Sequence, residues 1–389
     1  MMLGYLLGRA GVDTVVLEKH ADFLRDFRGD TVHPSTMLIM EELGLLSEFL
    51  KLTHSEIRAL SVVIGDHRFK IADFARIPGR CKFIALMPQW DFLNFLADHG
   101  RRFPAVEIKM SAEVTGLLSS AGRVVGVQAK TSGGPLEVRA RLVVGCDGRT
   151  STVRAASGLV VTDLGSPIDV LWFRLSKKPD DGEENLGYVR RGKLVVTIDR
   201  TDYWQCAFAI GKGGMERVHA AGLEAFKVAV ADAAHFLSDR VDELKSFDDV
   251  KLLSVSVDRL TTWSKPGLLC IGDAAHAMSP VGGVGINLAI QDAVATANLL
   301  AAKLKAGILE DDDLDLIRRR RLFPAQVIQR LQIAVHNRVL KPAISDTKGT
   351  FTAPWPLKIL NASPWLRRWP AQVVGLGVRP EHVRSPTGV

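Results

Sequence analysis

The chain has 389 residues, of which 47% are hydrophobic and 24% charged, and its net charge is +7. This length predicts two packed units or one large interleaved fold rather than one small core. No segment reaches the roughly 18 consecutive apolar residues of a membrane span. The basic residues are scattered along the chain, which argues against a nucleic-acid-binding surface.

The cysteine spacing and the first twenty residues further restrict the class of protein to which the chain could belong. Four widely separated cysteines predict no metal site and no redox dithiol. The first twenty residues have neither the basic start nor the small-residue cleavage site of a secretory signal. These features together predict a cytoplasmic globular protein.

The first part of the chain alternates between helical and strand patterns. Gly11 is a predicted helix stop, and Pro34 suits the first turn of a helix. The patterns predict helices over 2–10, 34–46 and 89–101, and strands over 13–18, within 60–71, within 107–130 and over 139–145.

The second part of the chain is first rich in strand patterns and then returns to an alternation of strand and helix patterns. Strand patterns dominate residues 159–263, with one predicted helix over 224–237. A buried strand over 268–271 and helices over 285–304 and 313–340 follow, with Pro324 as a predicted kink. The tail from residue 350 is rich in Pro and Trp and receives no predicted fold.

The strongest functional signal is LLCIGDAAHAMSPVGGVGINLAIQDA, residues 268–293. A buried strand ends at the acid Asp273, and a glycine-rich turn then opens an apolar helix. The acid can accept hydrogen bonds from a polyol, and glycines at a helix start let a ligand approach free N–H groups. This pattern is typical of a binding site for a ring that becomes an anion on reduction. The alternative interpretation is that an aspartate caps a helix and the glycine-rich turn binds no ligand.

This segment resembles the Gly-Asp motif of the FAD-dependent aromatic hydroxylases, the para-hydroxybenzoate hydroxylase fold. The resemblance places Asp273 at the ribityl chain of FAD and Pro280 beside the reactive edge of the flavin. The backbone facing the pyrimidine edge would come from Gly282, Gly283, Gly285, Ile286 and Asn287.

The fold that the resemblance implies is α/β, with a βαβ (Rossmann-like) FAD-binding domain interleaved with a β-rich substrate domain and followed by C-terminal helices. The expected FAD-binding domain is discontinuous, over 1–157 and 264–345. Residues 158–263 would form the substrate domain, and 346–389 the tail.

A second motif, LVVGCDGRTSTVR over 142–154, resembles the Asp-Gly motif of the same family. The resemblance implies that Asp147 and Gly148 support the flavin and a transient contact with NAD(P)H. A strand, an Asp-Gly turn and a helix are also common as a purely structural unit.

Three further positions match cofactor residues of the family. Glu18 ends a strand of the βαβ unit, where an acid hydrogen-bonds the adenosine ribose of a dinucleotide. Arg28 and Gln89 match an arginine and a glutamine near the cofactor. A surface-loop arginine and an ordinary helix start are the alternatives for these two residues.

The dinucleotide fingerprint, a strand followed by G-x-G-x-x-G, is expected before these motifs. The chain starts inside the helix of that fingerprint, with Gly4 and Gly11 in its later part. A start codon assigned too far downstream, a shortened chain or a decayed gene would each account for this. The expectation is that the chain as written holds FAD weakly or folds poorly, with unpaired strand edges.

The resemblance implies a monooxygenase that reduces FAD with NAD(P)H, forms a flavin C4a-hydroperoxide and hydroxylates an aromatic or polycyclic apolar substrate. Molecular oxygen and the substrate are the expected partners, and a homodimer is open. No catalytic acid or base is assigned. Tyr188 and Tyr203 are interpreted as packed sheet residues, although either could line the pocket, and His276 as part of the loop fold.

Three rivals stay open. A flavin-dependent reductase of the same superfamily would consume NAD(P)H without oxygen. A halogenase is disfavoured because its W-x-W-x-I-P motif is missing from this sequence. The last is a non-catalytic remnant or binding protein. The tryptophans of the tail could contact a membrane surface or a partner, but packing against the chain's own domain is favoured.

Overall fold

The computed structural model describes residues 1–24, 31–182, 186–346, 348 and 351–388. Its helices are α1 (Met2–Arg9), α2 (Pro34–Glu42), α3 (Leu46–Phe49), α4 (Gln89–Gly100), α5 (Thr152–Ser157), α6 (Met215–Ala221), α7 (Leu223–Ala233), α8 (Gly285–Ala306), α9 (Asp313–Val335), α10 (Lys341–Ser345), α11 (Trp355–Ala362) and α12 (Arg368–Gly375).

Its strands are mostly short, and their residues follow in chain order. They are β1 (Thr14–Leu17), β2 (Thr31–Val32), β3 (Ser55–Ile57), β4 (Ala59–Ile64), β5 (His67–Asp73), β6 (Ile84–Leu86), β7 (Val106–Lys109), β8 (Glu113–Ser120), β9 (Arg123–Thr131), β10 (Gly134–Arg139), β11 (Val143–Gly145), β12 (Val161–Asp163), β13 (Ile168–Ser176), β14 (Leu186–Arg190), β15 (Lys193–Asp199), β16 (Tyr203–Gly211), β17 (Lys251–Leu253), β18 (Asp258–Leu260), β19 (Ser264–Lys265) and β20 (Leu268–Cys270).

Local sequence chemistry explains several of these boundaries. Pro34 occupies the first turn of α2, where its missing N–H costs no helical hydrogen bond. Gly11 and Gly307 take positive φ angles of 72° and 74° where α1 and α8 end. Ala121 and Gly122, with φ of 47° and 78°, form the turn between β8 and β9 that the sequence predicts.

The first unit is built around α1 and α8, which pack on each other. Its core includes Leu6, Leu269, Val294 and Leu300, all fully buried. β1 pairs in parallel with β7, and β11 pairs in parallel with β20. In the described part of the chain β1 and β11 each have one unpaired edge, and both line the same cavity.

The second unit is a seven-stranded sheet in the order β17-β13-β16-β15-β14-β4-β5. One face packs against α7 through a buried cluster that includes Phe173, Trp204, Phe226 and Val230. The opposite face turns toward the cavity. Five strands come from the predicted insert, but β4 and β5 come from residues 59–73, which the sequence patterns place with the first unit. Strand pairing joins distant segments, and chain order does not reveal it.

The C-terminal half contains two long helices. A segment around α8, Val281–Ala306, is long and apolar enough to cross a membrane, but 72% of its apolar window is buried inside the protein. Helix α9 runs as one continuous helix through Pro324, the position of the predicted kink. The regular helix gives way to a π-helical turn at His336–Leu340.

The tail, for which the sequence predicts no fold, forms α11 and α12 and packs on β5. Its last residues then cross the first unit, where the Gly388 N–H donates to the Arg9 carbonyl at 2.6 Å. Asn298 Nδ2 donates to the His382 carbonyl at 2.8 Å. The tail therefore packs on its own chain, but Trp355, Trp365 and Trp369 are 73%, 53% and 54% exposed, so the expectation that these tryptophans pack against the domain is not confirmed.

Candidate functional site

One large cavity, of about 2470 Å³, lies between the two units. Its wall includes the carboxyl ends of β11 and β20, the loop before α8, parts of α1, β1 and α4, and the face of the seven-stranded sheet opposite α7. Parts of α11 and α12 close it from the side of the tail. Large apolar cavities with a few polar groups are the usual ligand sites of proteins.

The loop before α8 requires glycine at specific positions. Gly272 has φ of 59°, and a Cβ there would lie 2.9 Å from the Cβ of Ala289. Gly283 has φ of 62°, and its Cβ would lie 2.5 Å from Thr31 Oγ1. A side chain at either position would meet both backbone strain and a clash. The conformation of this loop therefore depends on glycine at positions 272 and 283.

The amino end of α8 opens at this cavity. Gly282, Gly283, Gly285 and Ile286 line it, together with Pro280. No side chain caps the first turn of α8 in the described structure. Its first N–H groups and the positive end of its dipole are therefore available to a ligand that carries negative charge.

Asn287 has a different role from its loop neighbours. Its side chain is buried, and its Oδ1 accepts hydrogen bonds from the His33 N–H at 2.9 Å and from Thr36 Oγ1 at 2.7 Å. Its Nδ2 donates to the carbonyls of Thr31 and Gly283, both at 3.2 Å. The side chain clamps the loop to β2 and α2, so only its backbone could face a cofactor.

Asp273 lies beside a cation that the sequence reasoning missed. Arg149 Nη2 lies 3.7 Å from Asp273 Oδ2, and both residues line the cavity. Burial raises the pKa of the Asp273 carboxyl, while Arg149 opposes that shift. Arg149 Nη1 is buried without a hydrogen-bond partner in the described residues. Residue 149 is part of the Asp-Gly motif, but only the fold brings it to Asp273.

Asp147 holds the turn of its own motif. Its carboxylate accepts hydrogen bonds from Ser151 Oγ and from the Val153 N–H, the latter at 3.1 Å. Gly148 adopts φ of 87°, which favours glycine. Arg154 Nη1 donates to Asp258 Oδ1 at 2.9 Å and ties the turn to β18. Asp147 and Gly148 both line the cavity, and their contact with a cofactor stays a prediction.

The remaining predicted cofactor residues, Glu18, Gln89 and Arg28, lie outside the two motifs. Glu18 follows β1 and lines the cavity, and its Oε1 accepts a hydrogen bond from the His20 N–H at 3.0 Å. Gln89 begins α4 and also lines the cavity. Arg28 lies outside the described residues.

A buried network of charged residues supports the loop before α8. The sequence did not suggest this network. His276 Nε2 lies 2.6 Å from Asp292 Oδ2, and Arg321 Nε donates to Asp292 Oδ1 at 2.9 Å. Arg321 Nη1 also approaches Glu381 Oε1 at 3.4 Å. Burial alone would raise the pKa of Asp292, but His276 and Arg321 outweigh it and hold that pKa below its usual value. His276 thus serves the loop fold, as predicted.

The sheet wall of the cavity is mostly apolar, with Ser61, Thr197 and Gln205 as polar lining residues. Val62, Gly187, Val196, Ala207 and Trp172 line it. The two insert tyrosines do not: Tyr188 packs against Phe236 at 5.5 Å between ring centroids, and Tyr203 stacks on Arg174. The interpretation of both as packed sheet residues agrees with these contacts.

Comparison with known proteins decides the family. A family model described as an FAD binding domain matches residues 1–330. The chain belongs to this FAD-binding family. The 6-methylpretetramide 4-monooxygenase of Streptomyces rimosus is 30% identical over 335 residues, which are 86% of this chain and 80% of that protein.

Other similar proteins point to the same family. The para-nitrophenol 4-monooxygenase of Pseudomonas sp. (strain WBC-3) is 25% identical over 82% of this chain and 79% of its own length. The structure of OxyS anhydrotetracycline hydroxylase from Streptomyces rimosus aligns with a TM-score of 0.75 at 23% identity, covering 98% of this chain and 74% of that one. The predicted fold, FAD as cofactor and the monooxygenase class are therefore confirmed.

Proposed function

We propose that this FAD-binding protein is an NAD(P)H-dependent monooxygenase that hydroxylates an aromatic or polycyclic apolar substrate. One observation carries the proposal. The glycine loop at the start of α8 and the mostly apolar face of the seven-stranded sheet line the same cavity. A cofactor held by the loop and an apolar substrate held by the sheet would therefore share one space.

The residues of the loop fit an FAD molecule. Asp273 accepts no hydrogen bond within the described structure, so its carboxylate is free to accept hydrogen bonds from the ribityl hydroxyls. The open N–H groups of α8 would stabilise negative charge on a reduced ring. We propose Glu18, Gln89, Asp147 and Gly148 as further cofactor contacts, since all four line the cavity.

The overall reaction would use two electrons from NAD(P)H, which bound FAD would pass to oxygen. One oxygen atom enters the substrate and the other leaves as water. The protein's own contribution is to bind, orient and exclude water. In the described part of the chain no tyrosine or histidine from the sheet lines the cavity, so the proposal assigns no acid or base.

The test measures oxygen uptake and NAD(P)H oxidation together in the presence of FAD and an aromatic substrate. The expected result is one O₂ consumed and one hydroxylated product formed for each NADH or NADPH oxidised. Hydrogen peroxide in place of hydroxylated product would mean that the substrate is wrong. NAD(P)H oxidation with a reduced product and no oxygen uptake would contradict the proposal and favour a reductase.

Two finer expectations belong to this proposal. Location in the cytoplasm is a prediction of the sequence, whereas the sequence leaves a homodimer open, and light scattering of the purified protein tests the second. Whether NADH or NADPH is the donor follows from the ratio of kcat/KM for the two nucleotides.

A further inference from the structure

Three of the seven tryptophans of the chain lie exposed on the tail. Trp355 begins α11, Trp365 precedes α12, and Trp369 lies in the first turn of α12. All three side chains are more than half exposed, whereas the other four tryptophans are buried or half-buried. Large apolar side chains that cluster on a surface mark a site of contact with another protein or a membrane.

Helix α11 presents apolar side chains to solvent. Trp355 and Ile359 are about one helical turn apart, so they lie on the same side of α11, and both are exposed. The other side packs on the protein: Asn361 Oδ1 accepts a hydrogen bond from the Lys70 N–H of β5 at 3.0 Å, and Leu357 packs against the cluster that contains Ala343. A surface helix normally turns polar residues outward, so this arrangement indicates a further contact.

Helix α12 has a similar outward side. Ala371 and Gly375 are its buried residues, and Trp369 lies on the opposite side. The Arg368 guanidinium carbon lies 4.4 Å from the ring centroid of Trp365 and 5.6 Å from that of Trp369. A cation therefore contacts two exposed rings. We call six residues of the two helices and their flanks the tail patch: Trp355, Lys358, Ile359, Trp365, Arg368 and Trp369.

The tail patch lies in a positively charged part of the chain. Residues 351–379 contain Lys358, Arg367, Arg368 and Arg379 but no aspartate or glutamate. Within the part of the chain that the structure describes, Lys358, Arg368 and Arg379 form no ion pair. Their charges are therefore not neutralised by carboxylates of the protein, and they can attract a negatively charged surface.

The tail patch also borders the large cavity. Trp355, Ile359 and Trp369 line the cavity and are exposed, so they lie at an opening of it. Leu331 of α9 is likewise both exposed and part of the cavity wall. Apolar side chains and cations thus lie beside one entrance to an apolar cavity.

We infer that the tail patch binds the surface of an anionic lipid bilayer. Tryptophan rings prefer the boundary between lipid and water, where the apolar ring contacts lipid and the indole N–H contacts water. Lys358 and Arg368 lie between these rings in sequence, where they can pair with lipid phosphates. A second copy of this chain would instead meet the same positive charges, which disfavours a dimer through this patch.

Binding to a bilayer would give the cavity a direct connection to lipid. The opening bordered by Trp355 and Trp369 would face the membrane. An apolar ligand would then pass from the bilayer to the cavity without crossing water, which avoids the unfavourable hydration of its apolar surface. The inference goes beyond the proposed function and does not depend on it.

The experiment measures cosedimentation of the purified full chain with lipid vesicles. Wild type should bind vesicles of phosphatidylglycerol and phosphatidylcholine in equal parts at least about tenfold more strongly than vesicles of phosphatidylcholine alone. The double variant Trp355→Ala, Trp369→Ala and the single variant Lys358→Glu should each lose about tenfold in binding to the anionic vesicles.

Two controls match these changes at exposed positions outside the tail. Ile308→Ala removes an exposed apolar side chain, and Lys51→Glu reverses an exposed charge, so both should bind the anionic vesicles as wild type does. Trp355 and Lys358 are exposed, and Lys358→Glu leaves every tryptophan in place, so it tests the inference even if the double variant unfolds.

Three results would overturn the inference. One is that wild type does not bind the anionic vesicles, and another is that the controls lose as much binding as the patch variants. The third is a dimer of wild type in the absence of lipid that Trp355→Ala, Trp369→Ala dissociates, measured by light scattering, because the patch would then bind a second copy. The assay needs no FAD, NAD(P)H or oxygen, so its failure and that of the monooxygenase proposal are distinguishable.

Discussion

The loop before α8 and the face of the seven-stranded sheet opposite α7 line one cavity, yet they are built in opposite ways. The loop is held by polar contacts: the hydrogen bonds of the Asn287 side chain and the network of His276, Asp292 and Arg321. The sheet face is mostly apolar, and side chains such as Val62, Val196 and Ala207 shape it. Polar contacts specify one geometry, as a cofactor requires, whereas single substitutions of apolar side chains would change the shape of the sheet face.

The largest expected effect comes from disrupting the network of His276, Asp292 and Arg321, which supports the loop before α8. Asp292→Ala removes the partner of both His276 and Arg321 and leaves the Arg321 guanidinium buried without its nearest carboxylate. We expect a loss of about 3–5 kcal/mol in the free energy of unfolding, measured by urea denaturation. The matched control is Asp98→Ala, whose pair with Arg101 is exposed and should cost at most about 1 kcal/mol. A similar loss for both variants would show that the network does not stabilise the loop.

A somewhat smaller effect, on the pH dependence of stability, tests His33, which takes part in the clamp made by Asn287. Burial lowers the pKa of His33 to about 4, and its Nδ1 lies 2.7 Å from the Val374 carbonyl of α12. In the unfolded chain the pKa is about 6.5, so between these values the unfolded state binds more protons. Stability should therefore fall as pH drops from about 6.5 to 4, by up to about 3 kcal/mol from this residue.

His33→Asn can keep a donor to the Val374 carbonyl but cannot titrate, so its stability should depend less steeply on pH across this window. His67→Asn, at an exposed position of β5, serves as the control and should retain the wild-type slope. Urea midpoints at several pH values measure both. Identical slopes for wild type and His33→Asn would contradict the assignment.

A third prediction concerns cofactor binding at the loop. Asp273→Asn keeps the shape of the side chain but removes the negative charge that would accept ribityl hydrogen bonds. We expect FAD affinity to fall by about 10- to 100-fold, since a hydrogen bond to a charged group contributes about 1.5–3 kcal/mol. Quenching of flavin fluorescence measures it, with the exposed Asp66→Asn as control. Unchanged affinity would remove Asp273 from the cofactor site.

The smallest expected effect belongs to Arg149. Its guanidinium faces Asp273 and lines the cavity, so it should attract the negatively charged groups of FAD. Arg149→Gln should lower FAD affinity by about threefold at low salt, and the difference should shrink as salt screens the charge. Arg80→Gln, at an exposed position away from the cavity, should leave affinity unchanged. A salt-independent loss would instead indicate a packing role.

Prediction from sequence succeeded where the controlling chemistry is local. The glycines of the loop around Gly283 supply its positive φ, and Pro34 and Gly11 lie at helix ends as predicted, so these features follow from single residue types. It failed for α11 and α12, because each is only eight residues long and contains a proline, and such short segments are weak signals for a helix. It also missed the clamp made by the Asn287 side chain, whose partners lie about 250 residues earlier in the chain.

The sequence alone predicted the longer strands, the glycine loop with Asp273, and through them the family and its cofactor, because backbone preferences and short motifs act within a few residues. Only the tertiary structure decided which residues meet. Arg149 reaches Asp273, β4 joins the insert strands, and Gly187 lies beside Val196 because of strand register and packing between distant segments. The shape of the cavity belongs to this second group, since side chains from several strands of the sheet define it jointly.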